Sequence, residues 1–125
     1  MSGPRDDNVY IEHMLESIRR IETNVSGGQE SFLASHTLQD AVLRNLQTLA
    51  EASQRLSDTL KQTQPLIPWR EIAAFRNVLV HNYLGIDLDT VWMVIQRDIP
   101  SLKQALVSMH DHQTSQNEDI CNDTQ

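Results

Sequence analysis

The chain has 125 residues, a formal net charge of −7, 39% hydrophobic residues and 5% aromatic residues, which is one domain with a core built mainly from Leu, Ile, Val and Ala. Only four Gly and four Pro argue against a turn-rich all-β sandwich, and no apolar run is long enough to span a bilayer. The acidic balance weighs against non-specific nucleic-acid binding, which depends on many Lys/Arg–phosphate contacts, although Arg44, Arg55, Lys61, Arg70 and Arg76 leave room for a local positive site in the middle of the chain.

The first helix is expected from about Asp7 to about Asn24. Val9, Ile11, Met14, Leu15, Ile18 and Ile21 recur there at helical spacing. Gly27 and Gly28 end it, as glycines past a helix end commonly do. A short turn follows around Glu30 to Ala34. Thr37 is placed to cap a second helix, with Asp40 three residues on as a capping-box variant. Its core stripe reads Leu38, Val42, Leu46, Leu49, Ser53 and Leu56. Asp40, Arg44, Gln47, Glu51 and Arg55 form a polar row on one face of that helix, either a solvated face of paired charges or support for a site.

Pro68 suits the first turn of a third helix, where a missing N–H costs nothing. That helix runs through Trp69, Ile72, Phe75, Leu79 and Tyr83 to a break near Gly85. Ala73, Ala74, Val78 and Val80 lie outside its main stripe, and surplus apolar surface of this kind points to a partner, often a second copy of the chain. Asp87 or Asp89 caps a fourth helix with Val91, Val94, Ile95, Ile99, Leu102 and Leu106 on its apolar side, and Pro100 is expected to kink or split it. Residues 1–110 thus form the domain, and residues 111–125 read as a polar, disordered or frayed tail. The expected fold is an all-α, antiparallel up-and-down four-helix bundle. The lone Cys121 cannot form an internal disulfide, and the N-terminal stretch lacks the apolar segment of a signal peptide. Both fit a cytoplasmic protein.

The candidate chemistry sits at Arg76, Asn77, His81 and Tyr83, an Arg-x4-His-x-Tyr pattern. Arg holds phosphate charge with a fixed fork of donors, His moves protons near neutral pH, and Tyr offers a hydroxyl. Three fixed residues alone fit a surface arginine, a helix-end histidine and a packed tyrosine equally well. His110 and His112 are two residues apart, a poor spacing for chelation on one helix face, and His13 and His36 have no evident ligand partners. No metal cluster, phosphate loop or Ser-His-Asp set stands out, so no metal or cofactor is expected.

The order and spacing of Asp40-Ala-Val-Leu-Arg-Asn-Leu46, Ile67-Pro-Trp-Arg-Glu-Ile72, Arg76-Asn77 with His81-x-Tyr83, and Gly85-Ile-Asp-Leu-Asp-Thr-Val-Trp92 resemble the HEPN domain family. The likeness is to the HepT-like toxins encoded beside a minimal nucleotidyltransferase (MNT) antitoxin, and it covers Tyr10 to about Leu106. The resemblance implies a homodimeric HEPN bundle and a metal-independent endoribonuclease of a type VII-like toxin-antitoxin pair. It makes Arg76, Asn77 and His81 catalytic residues and Tyr83 the side chain that the antitoxin adenylylates. Asp40, Arg44 and Glu51 are candidate supporting residues. The competing reading is a non-catalytic helical subunit that docks a nucleotidyltransferase.

On an ideal helix Arg76 and Tyr83 share a face, as do Asn77 and His81, while Arg76 and His81 are about 140° apart. Either the helix distorts before Gly85 or a second subunit completes the site.

Overall fold

The structure is a computed structural model that describes residues 4–123, with side-chain surroundings for residues 6–82 and 84–111. All secondary structure among the described residues is helical: α1 (Pro4–Asn24), α2 (Gln29–Ala34), α3 (His36–Arg55), α4 (Asp58–Lys61), α5 (Trp69–His81) and α6 (Leu88–Asp123), with a 3-10 turn at Tyr83–Gly85. Two of the helices, α2 and α4, are short segments beyond the four expected.

The apolar stripe of α1 buries Ile11, Met14, Ile18 and Ile21 completely. Each such side chain is worth about 1.5–3 kcal/mol on leaving water. Val9 is the exception and stays exposed. It lies two residues before Ile11, about 200° around the helix, so it points away from the stripe. On the solvent side, Glu16 accepts from Arg19 at 2.6 and 2.9 Å and from Arg20 at 3.1 Å. Hydrogen bonds from Arg19 first and Arg20 second hold its carboxyl down at about 2, against an ordinary 4.5. The sign follows: this network supports the fold fully above 4.5 and loses its contribution as pH falls through about 2.

Gly28 has φ 95°, a left-handed conformation open to a residue without Cβ. It releases the chain into α2, where a turn was expected. Phe32 of α2 is fully buried, with its ring 5.7 Å from that of Trp92 in α6. Gln39 reaches back from α3 and donates through Nε2 to the carbonyls of Phe32 and Leu33, both at 3.0 Å. These bonds satisfy the end of a helix too short to stand alone.

The cap of α3 is Ser35, not Thr37. Ser35 is extended (φ −125°, ψ 111°) and its hydroxyl accepts from Leu38 N–H at 3.2 Å. Thr37 already lies inside the helix and cannot take that role. Val42, Leu46, Leu49, Ser53 and Leu56 of the expected stripe are buried and Leu38 is half-buried. Ser53 satisfies its hydroxyl by donating to the Ala50 carbonyl at 2.6 Å.

A buried acid ties the start of α1 to the end of α3. Asp7 accepts from Ser57 N–H and from Ser57 Oγ–H, each at 2.8 Å. Ser57 Oγ in turn accepts from Leu60 N–H at 3.3 Å, capping α4. Pro68 precedes α5 with non-helical angles (φ −81°, ψ 73°), one residue earlier than its expected place in the first turn. Trp69 anchors the start of α5 by donating its indole N–H to the carbonyls of Lys61 and Gln64, both at 3.2 Å.

Asp87, of the two candidates, caps α6. Its carboxylate accepts from Asp89 N–H and from Thr90 Oγ–H, each at 3.0 Å. Pro100 does not split α6, which runs through it. Both Pro100 and Gln96, whose carbonyl loses its helical donor, are exposed, so water can take that bond. The tail expected beyond residue 111 has side chains outside the described residues, and its backbone continues α6 to Asp123.

α3 packs on α1 and on α5, α2 packs on α3, and α1 packs on α6. Lys103 of α6 pairs with Glu22 of α1 at 3.0 Å, and His110 lies 3.2 Å from Glu12. None of the described helices is long and apolar enough to cross a membrane.

Candidate active site

The motif lies on the last turns of α5 and just past its end. α5 is anchored through Leu79, which is almost fully buried, and through half-buried Ile72 and Phe75. These apolar residues fix its rotation about its own axis. That rotation leaves Arg76 one-third exposed and Asn77 and His81 exposed.

His81 is the last residue of α5, and Asn82 leaves helical geometry at φ −131°, ψ 35°. Asn82 N–H still reaches the Val78 carbonyl at 2.9 Å, and Gly85 N–H closes the 3-10 turn on the Asn82 carbonyl at 3.0 Å. A Cβ at Gly85 would come within 2.9 Å of Asn82 Oδ1, the end of an exposed side chain. The backbone of Tyr83 therefore belongs to the turn and not to the helix. This corrects the expectation that Arg76 and Tyr83 share a helical face. The helix ends before Gly85, but not in a way that brings Arg76 and His81 together, as the first of the two alternatives required. The Tyr83 side chain lies outside the described residues.

Arg76 and His81 both remain on α5, so their separation of about 140° around the axis stands. Among the described residues no hydrogen bond joins His81 to Arg76 or Asn77. Arg76 has two neighbours instead. Its Nε lies 3.4 Å from Glu51 Oε1 on α3, and its Nη1 lies 3.4 Å from Asn77 Oδ1. Glu51 Oε1 also accepts from Gln47 Nε2 at 3.1 Å. The polar row of α3 thus supplies one of its members to the motif. Asp40 and Arg44 are exposed on the same helix, about 16 and 10 Å from Glu51 along the axis. A pair as open and long as Arg76–Glu51 is worth no more than about 1 kcal/mol to the fold.

Exposed apolar residues neighbour His81 in the chain, beside the polar Asn77 and Asn82. Val78 is 45% exposed, Val80 37% and Leu84 98%. These include the surplus positions noted in the sequence.

A groove of about 480 Å³ opens elsewhere, between α3, α5 and α6. Its walls include Leu46, Leu49, Ile72, Phe75, Val94 and Leu102, with Glu71 and Asp98 as the acids. Among the described residues no Lys or Arg lines it, and Arg76, Asn77 and His81 do not. Such a wall does not suit phosphate, so the open motif surface is the better candidate for holding an anion. Among the described residues no three His, Cys, Asp or Glu cluster as a metal site would require.

The sequence matches the family described as Ribonuclease HepT-like over residues 14–109. It is 39% identical over 100 residues to "Probable ribonuclease HepT" of Thermococcus cleftensis, covering 79% of this chain and 91% of that protein. A Methanocaldococcus jannaschii protein named "Gamma-glutamylcyclotransferase and putative RNase" is 37% identical over 106 residues. That alignment covers 84% of this chain, which spans only 48% of that relative's length. "Putative RNase" of Caldanaerobacter subterraneus subsp. tengcongensis is 31% identical over 105 residues, covering 83% of this chain and 91% of that protein. No solved structure matches. With three-quarters of its length inside the family's pattern, the chain belongs to the HepT-like ribonucleases of the HEPN class.

Proposed function

We propose that this chain is the toxin half of a HEPN/MNT toxin-antitoxin pair and cuts RNA as a metal-independent endoribonuclease. The carrying observation is that a HepT-like chain presents Arg76 and an exposed His81 on one helix, α5, each open to a ligand. In the proposed reaction the 2′-hydroxyl attacks phosphorus and gives its proton to His81. The P–O5′ bond breaks, and the leaving 5′ oxygen takes a proton from water or from a second imidazole. The products are a 2′,3′-cyclic phosphate and a free 5′-hydroxyl. Arg76 neutralises charge that builds on the phosphoryl oxygens, and Asn77 orients the phosphate or the ring.

The same reading includes an up-and-down arrangement of the four long helices and a homodimer. Arg76 and His81 diverge within one chain, while Val78, Val80 and Leu84 leave apolar surface beside them. Paired α5 helices would bring two motifs to a shared groove, so that one copy's arginine serves the other's histidine. A stable monomer with full activity would remove this part. Purified protein incubated with total RNA in EDTA is expected to release fragments with cyclic-phosphate ends. Intact RNA under those conditions overturns the ribonuclease reading.

Regulation by a nucleotidyltransferase belongs to this proposal. A nucleotide on Tyr83 would add negative charge and bulk where RNA phosphate must sit. Tyr83→Phe is expected to escape modification while still cutting RNA. Mass spectrometry of the protein after exposure to the antitoxin and ATP reads this directly, and unchanged labelling of the Phe variant rejects Tyr83 as the target. The net charge of −7 favours a second reading, a non-catalytic subunit that only docks the nucleotidyltransferase. Docking alone has no use for a proton-transfer group at His81.

A further inference from the structure

We propose that Glu51 is a positioning residue for Arg76, an inference that rests on the ribonuclease reading. Arg76 comes from α5 and Glu51 from α3, 25 residues apart in sequence. Glu51 is held before Arg76 meets it: Gln47, one turn earlier on the same helix, donates to the same oxygen, Oε1, that faces Arg76 Nε. The carboxylate therefore has a defined place on α3. Arg76 approaches with the inner nitrogen of its guanidinium, Nε, while Nη1 faces Asn77 Oδ1. Two contacts at two different nitrogens orient a planar group, and among the described residues its other N–H donors meet no acceptor, which leaves them for an anion.

The length of the pair matters. At 3.4 Å the Nε–Oε1 contact is beyond a tight charge-assisted hydrogen bond. Phosphate therefore does not have to break a strong ion pair to reach the arginine. Glu51 itself is 45% exposed and fills no core space, so its removal leaves the packing of α3 in place. Its contribution is to restrict a long, flexible side chain to the orientation the substrate needs.

The test is a double-mutant cycle on kcat/KM for RNA cleavage, with Glu51→Ala, Glu51→Gln, Arg76→Ala and the double variant Glu51→Ala/Arg76→Ala. Loss of such a supporting contact is expected to cost about 10–100-fold in the wild-type background. Glu51→Gln, whose amide oxygen can still accept from Nε, is expected to recover most of that loss. In the Arg76→Ala background Glu51→Ala is expected to cost nothing further, because its effect runs through the arginine. If Arg76→Ala leaves too little cleavage to measure, added guanidinium ion is expected to restore activity to Arg76→Ala but not to the double variant. Equal losses with and without Arg76, guanidinium rescue of both variants, a fall in melting temperature parallel to the loss of activity, or an indifferent Glu51→Ala each overturn the proposal. If the wild-type protein leaves RNA intact, the ribonuclease reading fails and this inference with it. If the wild type cuts RNA and Glu51→Ala cuts equally well, Glu51 alone is rejected.

Discussion

Replacing His81 with Ala is expected to lower RNA cleavage by about 10²–10⁴-fold, the usual contribution of a positioned proton-transfer group. The same change should alter stability by no more than about 0.5 kcal/mol, as is usual for a surface site. His81 is exposed, ends α5 and contributes nothing to the core. Its loss therefore separates chemistry from folding. The two competing functions disagree most sharply here. A docking subunit would keep its partner affinity and lose no RNA cleavage, having had none. A ribonuclease would keep its circular dichroism and lose its products. Cleavage that persists at the wild-type rate in a folded His81→Ala protein would assign the chemistry to another residue.

The second large effect lies in the core, at Phe32 of α2. Phe32→Ala is expected to cost about 3–5 kcal/mol, the range for a fully buried aromatic side chain cut to a methyl group. Such a loss is a large part of the about 5–15 kcal/mol that holds a domain together. Phe32 is 0% exposed and packs on Trp92, so the cavity would open between α2 and α6. Phe32→Leu keeps more of the volume and should cost less. Urea unfolding followed by circular dichroism measures both. A loss under about 1 kcal/mol for Phe32→Ala would mean that α2 is not part of the cooperative unit.

Phe32 also marks where the sequence stops being legible. Long helices announce themselves by repetition, and Ile11, Met14, Ile18 and Ile21 all lie where their spacing puts them. A six-residue helix has too few turns to show a period, so α2 passed for a turn. Caps are similarly local. Ser35 and Thr37 have equally good side chains, and the choice falls to whichever backbone is extended. The motif divides along the same line. Arg76, Asn77 and His81 are readable as residue types at a spacing. The end of α5 at His81, which turns Tyr83 off the helix, depends on the angles of Asn82. Glu51 belonged to a row of polar residues with two possible meanings, and only the packing of α3 on α5 selects one member of that row.

The position of α1 between α3 and α6 has a consequence for synthesis. The stripe of Met14, Ile18 and Ile21 is made first, yet α6 packs on α1 where Lys103 meets Glu22, 81 residues apart in the chain. At translation rates of about 5–20 residues per second, that contact forms about 4–16 seconds after α1 is made, with further delay for the exit tunnel. During that interval one apolar side of α1 has α3 to cover it and the other has nothing from its own chain. A ribosome-bound nascent chain stalled after residue 90 should therefore recruit chaperones that a chain extended past α6 releases.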